Sequence, residues 1–71
     1  MIRLNQNQIN RCYACFDFED YEEIVGAYKS GKHALIIHYY DEKEQVEGTY
    51  LPFVEKDQME FIMNGIKLER V

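Results

Sequence analysis

The sequence lacks any apolar run long enough to cross a membrane, since the longest, Ala34–Ile37, falls far short of the roughly 20 residues that a spanning helix needs. It also lacks a recognisable secretory signal, because Met1–Leu4 leads directly into a polar Asn-Gln stretch. No Asn-x-Ser/Thr glycosylation acceptor occurs. We therefore expect a cytoplasmic protein without a membrane segment, and we expect its two cysteines to be reduced thiols.

Signatures of catalysis, metal binding and nucleotide binding are missing or incomplete. There is no glycine-rich phosphate loop and no Ser-His-Asp set. Cys12 and Cys15 form a C-x-x-C motif, but its setting differs from that of redox pairs at a helix N-terminus, so two packed thiols are favoured. His33 and His38 complete a superficially finger-like set, but histidines five residues apart on a strand face opposite ways. We expect no metal, no cofactor and no enzymatic activity.

Basic residues are scarce, since eight Lys and Arg stand against thirteen Asp and Glu and give a formal net charge of −5. Nucleic-acid phosphates repel such a chain, so we expect no direct nucleic-acid binding, although tyrosine-rich sheets can stack bases. A protein partner with a basic surface is favoured instead. The small size and the acidity are also typical of accessory proteins encoded by phages and other mobile elements.

The fold is expected to form around the segment His33–Phe53. Its first half, His33–Tyr40, is rich in residues favoured in strands, and Asp41–Glu44 is a glycine-free polar turn that predicts a four-residue loop. Pro52 lacks an N–H group, which places the end of the second strand at a sheet edge. We therefore predict a β-hairpin.

The two faces of this hairpin differ in character, because side chains alternate along a strand. The predicted core side is almost wholly apolar and consists of Leu35, Ile37, Tyr39, Val46, Gly48 and Tyr50. The other side, called the front face below, is half polar and consists of Ala34, Ile36, His38, Tyr40, Gln45, Glu47, Thr49 and Leu51. The predicted register places Tyr39 opposite Val46 and makes His38 and Glu47 a cross-strand polar pair.

The flanking segments supply the other predicted elements. Ile9–Phe18 is interpreted as a strand because its aromatic residues favour strands, with a helix over Ile9–Phe16 as the alternative. Asp17–Gly31 is predicted as a helix from an apolar stripe at helical spacing, formed by Tyr21, Ile24, Val25 and Tyr28. Glu55–Asn64 is predicted as a second helix and Ile66–Val71 as a final strand.

These elements predict a single α+β domain over residues 1–71, a small two-layer sandwich with two helices on an antiparallel sheet. The element order βαββαβ is that of ferredoxin-like folds. If Ile9–Phe16 is helical, the order becomes αα followed by ββαβ, which is still α+β.

Two acidic clusters and the front face form the expected partner-binding surface. The front-face members are Ile36, His38 and Tyr40. The carboxylates are Asp17, Glu19, Asp20, Glu22, Glu23, Asp41, Glu42, Glu44 and Glu47. Clustered carboxylates can imitate nucleic-acid phosphates in a basic groove, although a solvated helix start and a polar turn explain them without a partner. We expect a regulator or inhibitor that docks on a basic partner, such as a nucleic-acid-handling enzyme. The alternative is a homodimerising sheet domain with a structural or ligand-sensing role.

Overall fold

The computed structural model of the protein describes residues 1–65. Its elements are β1 (Ile2–Arg3), α1 (Gln6–Cys15), β2 (Glu22–Lys29), β3 (Leu35–Asp41), β4 (Val46–Tyr50) and α2 (Lys56–Asn64). The four strands form one antiparallel sheet in the order β1-β2-β3-β4. The predicted α+β class, with two helices and a four-stranded antiparallel sheet, is confirmed.

The ferredoxin-like order is not confirmed. Over residues 1–65 the elements follow one another as βαβββα, and the three long strands form a simple meander. The predicted final strand, residues 66–71, lies outside the described residues. The departure from the predicted order therefore comes from the segment between residues 9 and 31, where both predicted elements have the wrong type.

The strand predicted over Ile9–Phe18 is wrong, because α1 occupies most of this segment. A capping box fixes its start: the Gln8 backbone N–H donates to Asn5 Oδ1 at 2.9 Å, and the Asn5 N–H donates to Gln8 Oε1 at 2.8 Å. These two bonds satisfy amide groups that the first turn leaves free, and they outweigh the weak strand preference of the aromatic residues. The helical alternative for this segment is the correct one.

The helix predicted over Asp17–Gly31 is also wrong, because β2 occupies residues 22–29. A β-bulge between Ile24 and Gly26 shifts the phase of this strand by one residue. As a result, Ile24 and Ala27 point to the same side although they are three residues apart, and both are buried. Buried residues three apart are also the pattern of a helix face, which is why this segment was predicted as a helix. The β-branched Ile24 and Val25, by contrast, favour a strand.

The β3–β4 hairpin forms as predicted, but its register differs by two residues. Tyr39 pairs with Gly48 and Asp41 pairs with Val46, so the loop is Glu42–Gln45. The Glu44 N–H donates to Asp41 Oδ1 at 2.9 Å, which stabilises this loop. A shift of two residues preserves the alternation of sides, so the predicted faces keep their members except for Gln45, which lies in the loop.

The core lies on one side of the sheet, called the back face below, against both helices. It consists of Leu4, Ile9, Cys12, Ile24, Ala27, Leu35, Ile37, Val54, Met59 and Ile62. The Arg11 Nε–H donates to the Ile62 carbonyl oxygen at 3.0 Å and ties α1 to the end of α2. The predicted second helix is confirmed by α2, which ends at Gly65 with a positive φ of 71°. Neither helix within residues 1–65 has the length and apolarity that spanning a membrane requires.

Candidate protein-binding surface

The front face of the sheet carries three cross-strand rows of side chains. Residues paired directly across antiparallel strands point to the same side, so the register defines each row. The rows are Arg3–Tyr28–Ile36, Gly26–His38–Thr49 and Glu23–Tyr40–Glu47. In the part of the chain that the structure describes, both helices pack on the back face, and His38, Thr49 and Glu47 are exposed. The predicted front-face residues Ile36, His38 and Tyr40 therefore do share one surface.

The two acidic clusters of the sequence meet at one end of this sheet. Glu22 pairs with Asp41 across β2 and β3, and the Glu42 N–H donates to the Tyr21 carbonyl oxygen at 2.9 Å. On the front face, Glu23 and Glu47 flank Tyr40 from its two sides. We call this region the acidic end, and it comprises Asp17, Glu19, Asp20, Glu22, Glu23, Asp41, Glu42, Glu44 and Glu47. Of these nine carboxylates, Glu23 and Glu47 point to the front face and Glu22 and Asp41 point to the back face, whereas the other five come from the segment before β2 and from the hairpin loop.

A group of edge-to-face aromatic rings holds the acidic segment that precedes β2. The Phe18 ring lies 5.6 Å from Tyr13, 6.0 Å from Tyr39 and 5.9 Å from Tyr50, measured between ring centroids. Phe16 contacts Tyr50 in the same way at 5.8 Å. Such pairs contribute about 0.5–1.5 kcal/mol each beyond their buried area. The rings anchor residues 16–18 to the back of the hairpin, so the neighbouring carboxylates Asp17, Glu19 and Asp20 are presented from a fixed backbone.

Electrostatic coupling within the acidic end is visible at Tyr21. The pKa of the Tyr21 phenol is raised above its usual value of 10.0, first by loss of solvation and then by the negative charge of nearby carboxylates. These carboxylates come from both clusters: Glu19, Asp41, Glu22 and Glu44. The Lys43 ammonium nitrogen lies 5.4 Å from the centre of the Tyr21 ring and adds one positive charge to this region.

The acidic end is concave. A depression of about 360 Å³ is lined by Tyr13, Phe18, Glu19, Asp20, Tyr21, Glu22, Glu23 and Glu42. A neighbouring depression of about 210 Å³ is lined by Asp17, Phe18, Glu22, Tyr39 and Tyr50. Carboxylates on the rim and aromatic rings beneath them suit a long basic side chain, whose stem packs on the rings while its charge meets the carboxylates.

The predicted pairing of His38 with Glu47 is wrong. Because the register differs by two residues, His38 lies opposite Thr49, and its Nδ1 lies 3.2 Å from the Thr49 Oγ1. Glu47 lies opposite Tyr40 instead. The Tyr28 ring contacts the imidazole edge-to-face at 5.9 Å between centroids. His38 is therefore a member of a polar, aromatic surface rather than half of a histidine–carboxylate pair.

The two cysteines lie in the second half of α1. Three residues apart on a helix they lie on the same side, whereas the strand interpretation placed them on opposite faces. The pKa of Cys12 is raised from 9.0 to about 11, first by burial and then by the charge of Cys15, whereas the charge of Arg11 acts in the opposite direction. Burial also raises the pKa of Cys15. Redox cysteines have lowered pKa values, so packed thiols fit this environment better.

Metal ligands do not gather in the part of the chain that the structure describes. No group of three or more His, Cys, Asp and Glu side chains there has a spacing suited to a metal ion. Of the four residues weighed for zinc, His33 has its Nδ1 3.0 Å from the Val54 carbonyl oxygen, and Cys12 is buried in the core.

Several front-face residues were missed by the sequence-based prediction. Arg3 and Tyr28 belong to this face only because β1 and β2 are strands, and Tyr28 had been placed on a helix. Phe53, at the end of the hairpin, is also missed and is 79% exposed, whereas its neighbour Leu51, a predicted front-face residue, is 68% exposed. Phe53 bridges to Ala34, which extends the front face beyond β4. Once β2 is assigned as a strand, the alternation of its side chains between the two faces identifies Tyr28 as a front-face residue.

Comparisons of this chain with models of protein families, with curated proteins and with solved structures found no match. The functional interpretation therefore depends on the geometry and charge of the surface itself.

Proposed function

We propose that this protein is a small, acidic, non-enzymatic binding module that docks on a basic surface of a partner protein and regulates or inhibits it. The observation that carries the proposal is the meeting of two carboxylate clusters, distant in sequence, at one end of a sheet whose front face neither helix covers within residues 1–65. A charged surface of this kind steers a complementary partner and rejects partners of like charge.

The front face adds apolar and aromatic contact area to the charge of the acidic end. Ile36 and Tyr40 are half-buried and lie beside the exposed His38. Tyrosine is enriched in binding hot spots because one side chain offers a large apolar ring and a hydroxyl group. Tyr40 stands between Glu23 and Glu47, so a partner that packs on this ring also meets two carboxylates. The proposed interface therefore has an aromatic centre and a charged rim.

The proposed partner is a protein that handles nucleic acid, with this module occupying its phosphate-binding groove. Clustered carboxylates resemble phosphates in charge, and a groove built for phosphates carries the basic residues that they need. A chain with net charge −5 does not bind the nucleic acid itself, so competition for the groove is the expected mode of action. A cytoplasmic location suits such a partner.

A capture experiment tests this function. The tagged protein is used to capture partners from an extract of its native host. The captured protein is then identified and purified, and its affinity for the module is measured. We expect binding that weakens steeply as salt rises, and competition by nucleic acid. Glu42→Gln/Glu44→Gln at the acidic end should weaken binding several-fold, because each exposed charge contributes about 0.2–1 kcal/mol.

The matched control is Asp57→Asn/Glu60→Gln, which removes the same charge from exposed positions on α2. Equal weakening by both double variants would contradict the proposal, because it would mean that only net charge matters. Binding that ignores salt would contradict it as well.

Homodimerisation through the front face is a second candidate, favoured by the charge gradient along that face. Arg3 lies in the row at one end, and Glu23 and Glu47 lie in the row at the other. A twofold axis that lies in the plane of the interface, across the direction of the charge gradient, places Arg3 of each copy near the glutamates of the other. Light scattering after size exclusion distinguishes the candidates: a dimer at low salt that Arg3→Glu disrupts supports self-association, and a monomer at micromolar concentration contradicts it.

A further inference from the structure

A third depression lies at the end of β2 opposite to the acidic end. Seven residues separate Glu22 from Lys29, which places the two ends of the strand about 23 Å apart at ~3.3 Å per residue. The depression has a volume of about 420 Å³ and is lined by Lys29, Lys32, His33, Lys56, Met59 and Glu60. We call it the basic depression, because three lysines outnumber one glutamate in it.

This concentration of positive charge stands out in an acidic chain. The lysines come from three separate parts of the fold: the end of β2, the loop before β3 and the first turn of α2. Glu55 and Asp57 flank Lys56 in the chain, but neither lines the depression. The fold therefore brings together lysines that the sequence keeps apart.

Two contacts fix the imidazole of His33 in this wall. Its Nδ1 lies 3.0 Å from the Val54 carbonyl oxygen, and because a carbonyl oxygen only accepts, Nδ1 must carry a hydrogen. The Phe53 ring stacks on the imidazole, with 5.4 Å between centroids and 28° between planes. The Nε2 atom takes no part in the contact with Val54. The two contacts hold the ring in one orientation before any ligand binds.

We propose that the basic depression binds a small molecule through its phosphate group. Lysine ammonium groups are donors that suit a phosphate dianion, and charge-assisted hydrogen bonds to it are stronger than neutral ones. The volume lies in the range of small-molecule sites, and the Met59 side chain offers an apolar contact for the rest of the ligand. A long polyanion is excluded by the acidic end, which repels it along the same sheet. This site is independent of the proposed partner-binding function.

Glu60 gives the proposal a distinctive prediction. Its carboxylate lines the depression and repels a bound phosphate. Glu60→Gln keeps the shape of the side chain and removes the charge, so it should tighten phosphate binding several-fold. Lys32→Gln and Lys56→Gln should each weaken binding by about tenfold, because a hydrogen bond to a charged group is lost.

The test is an NMR titration of the full chain with inorganic phosphate and, in parallel, with phenyl phosphate, both against sodium chloride at matched ionic strength. We expect saturable shifts at Lys29, Lys32, His33 and Lys56, with Lys43→Gln as the control lysine that leaves them unchanged. Tighter binding of phenyl phosphate than of phosphate would assign the site to a phosphorylated molecule, and equal binding would assign it to free phosphate. Shifts that chloride reproduces, or an affinity that Lys43→Gln lowers as much as Lys32→Gln, would overturn the proposal.

Discussion

The two faces of β3 differ sharply in burial. Leu35 and Ile37 point to the back face and are 1% and 0% exposed, whereas the alternate residues Ile36 and His38 point to the front and are half-buried and exposed. The same strand thus contributes every second side chain to the core, and the side chains between them are half-buried or exposed within residues 1–65. Stability should depend on the back face, and binding on the front.

Replacement of Ile37 by Ala gives the largest expected contrast. Ile37 is fully buried between the sheet and the helices, so its truncation leaves a cavity and should lower the free energy of unfolding by about 2–5 kcal/mol. Ile36→Ala, one residue away on the front face, should cost less than half as much. Urea unfolding of both variants measures the difference, and equal losses would mean that the front face is also core.

Two glycines permit a second comparison between the faces. A Cβ added at Gly48, on the back face, would lie 2.5 Å from the Tyr39 ring, whereas one at Gly26, on the front face, would come no closer than 3.9 Å to Tyr28. Gly48→Ala must displace the ring and should destabilise the protein by about 1–3 kcal/mol. Gly26→Ala should change stability by less than about 1 kcal/mol in either direction, because the added Cβ would make only ordinary van der Waals contacts there. Thermal unfolding of the two variants measures both changes in stability. A Gly48→Ala variant as stable as the wild-type protein would contradict the close packing of Tyr39 against Gly48.

A smaller effect is expected from Cys12, beneath the back face. Its pKa is 9.0 without burial and about 11 in the folded protein, so the unfolded chain loses the proton first as pH rises. The contribution of the protonated thiol to stability is full below pH 9 and is lost as pH rises toward 11. Urea midpoints at pH 8 and pH 10.5 should therefore fall less in Cys12→Ala than in the wild-type protein. An identical fall in both would show that other groups cause the alkaline loss.

The β3–β4 hairpin could be predicted from sequence because its two faces differ strongly in polarity. Leu35, Ile37 and Tyr39 alternate with Ile36, His38 and Tyr40, and a polar turn follows. The register could not be fixed in the same way. A shift of two residues leaves every side chain on its own face, so the pattern of polarity does not distinguish the two registers, and the partner of His38 was assigned wrongly.

The segment before the hairpin was mispredicted for two local reasons. The capping box at Asn5 and Gln8 is present in the sequence and would have indicated a helix start. The bulge at Val25, which changes the phase of β2, has only a weak signal, the glycine that follows it at position 26. The meeting of the two acidic clusters followed from β2 being a strand, and so it could not be foreseen while that segment was taken for a helix.

The most direct test of the division between the two faces is Ile36→Ser/Tyr40→Ala, measured for both folding and partner binding. Both residues lie on the front face beside the acidic end. We expect a urea midpoint close to that of the wild-type protein and a partner affinity at least about tenfold weaker, as for residues at the centre of an interface. A collapse of the midpoint, or binding of the partner at full strength, would contradict the account.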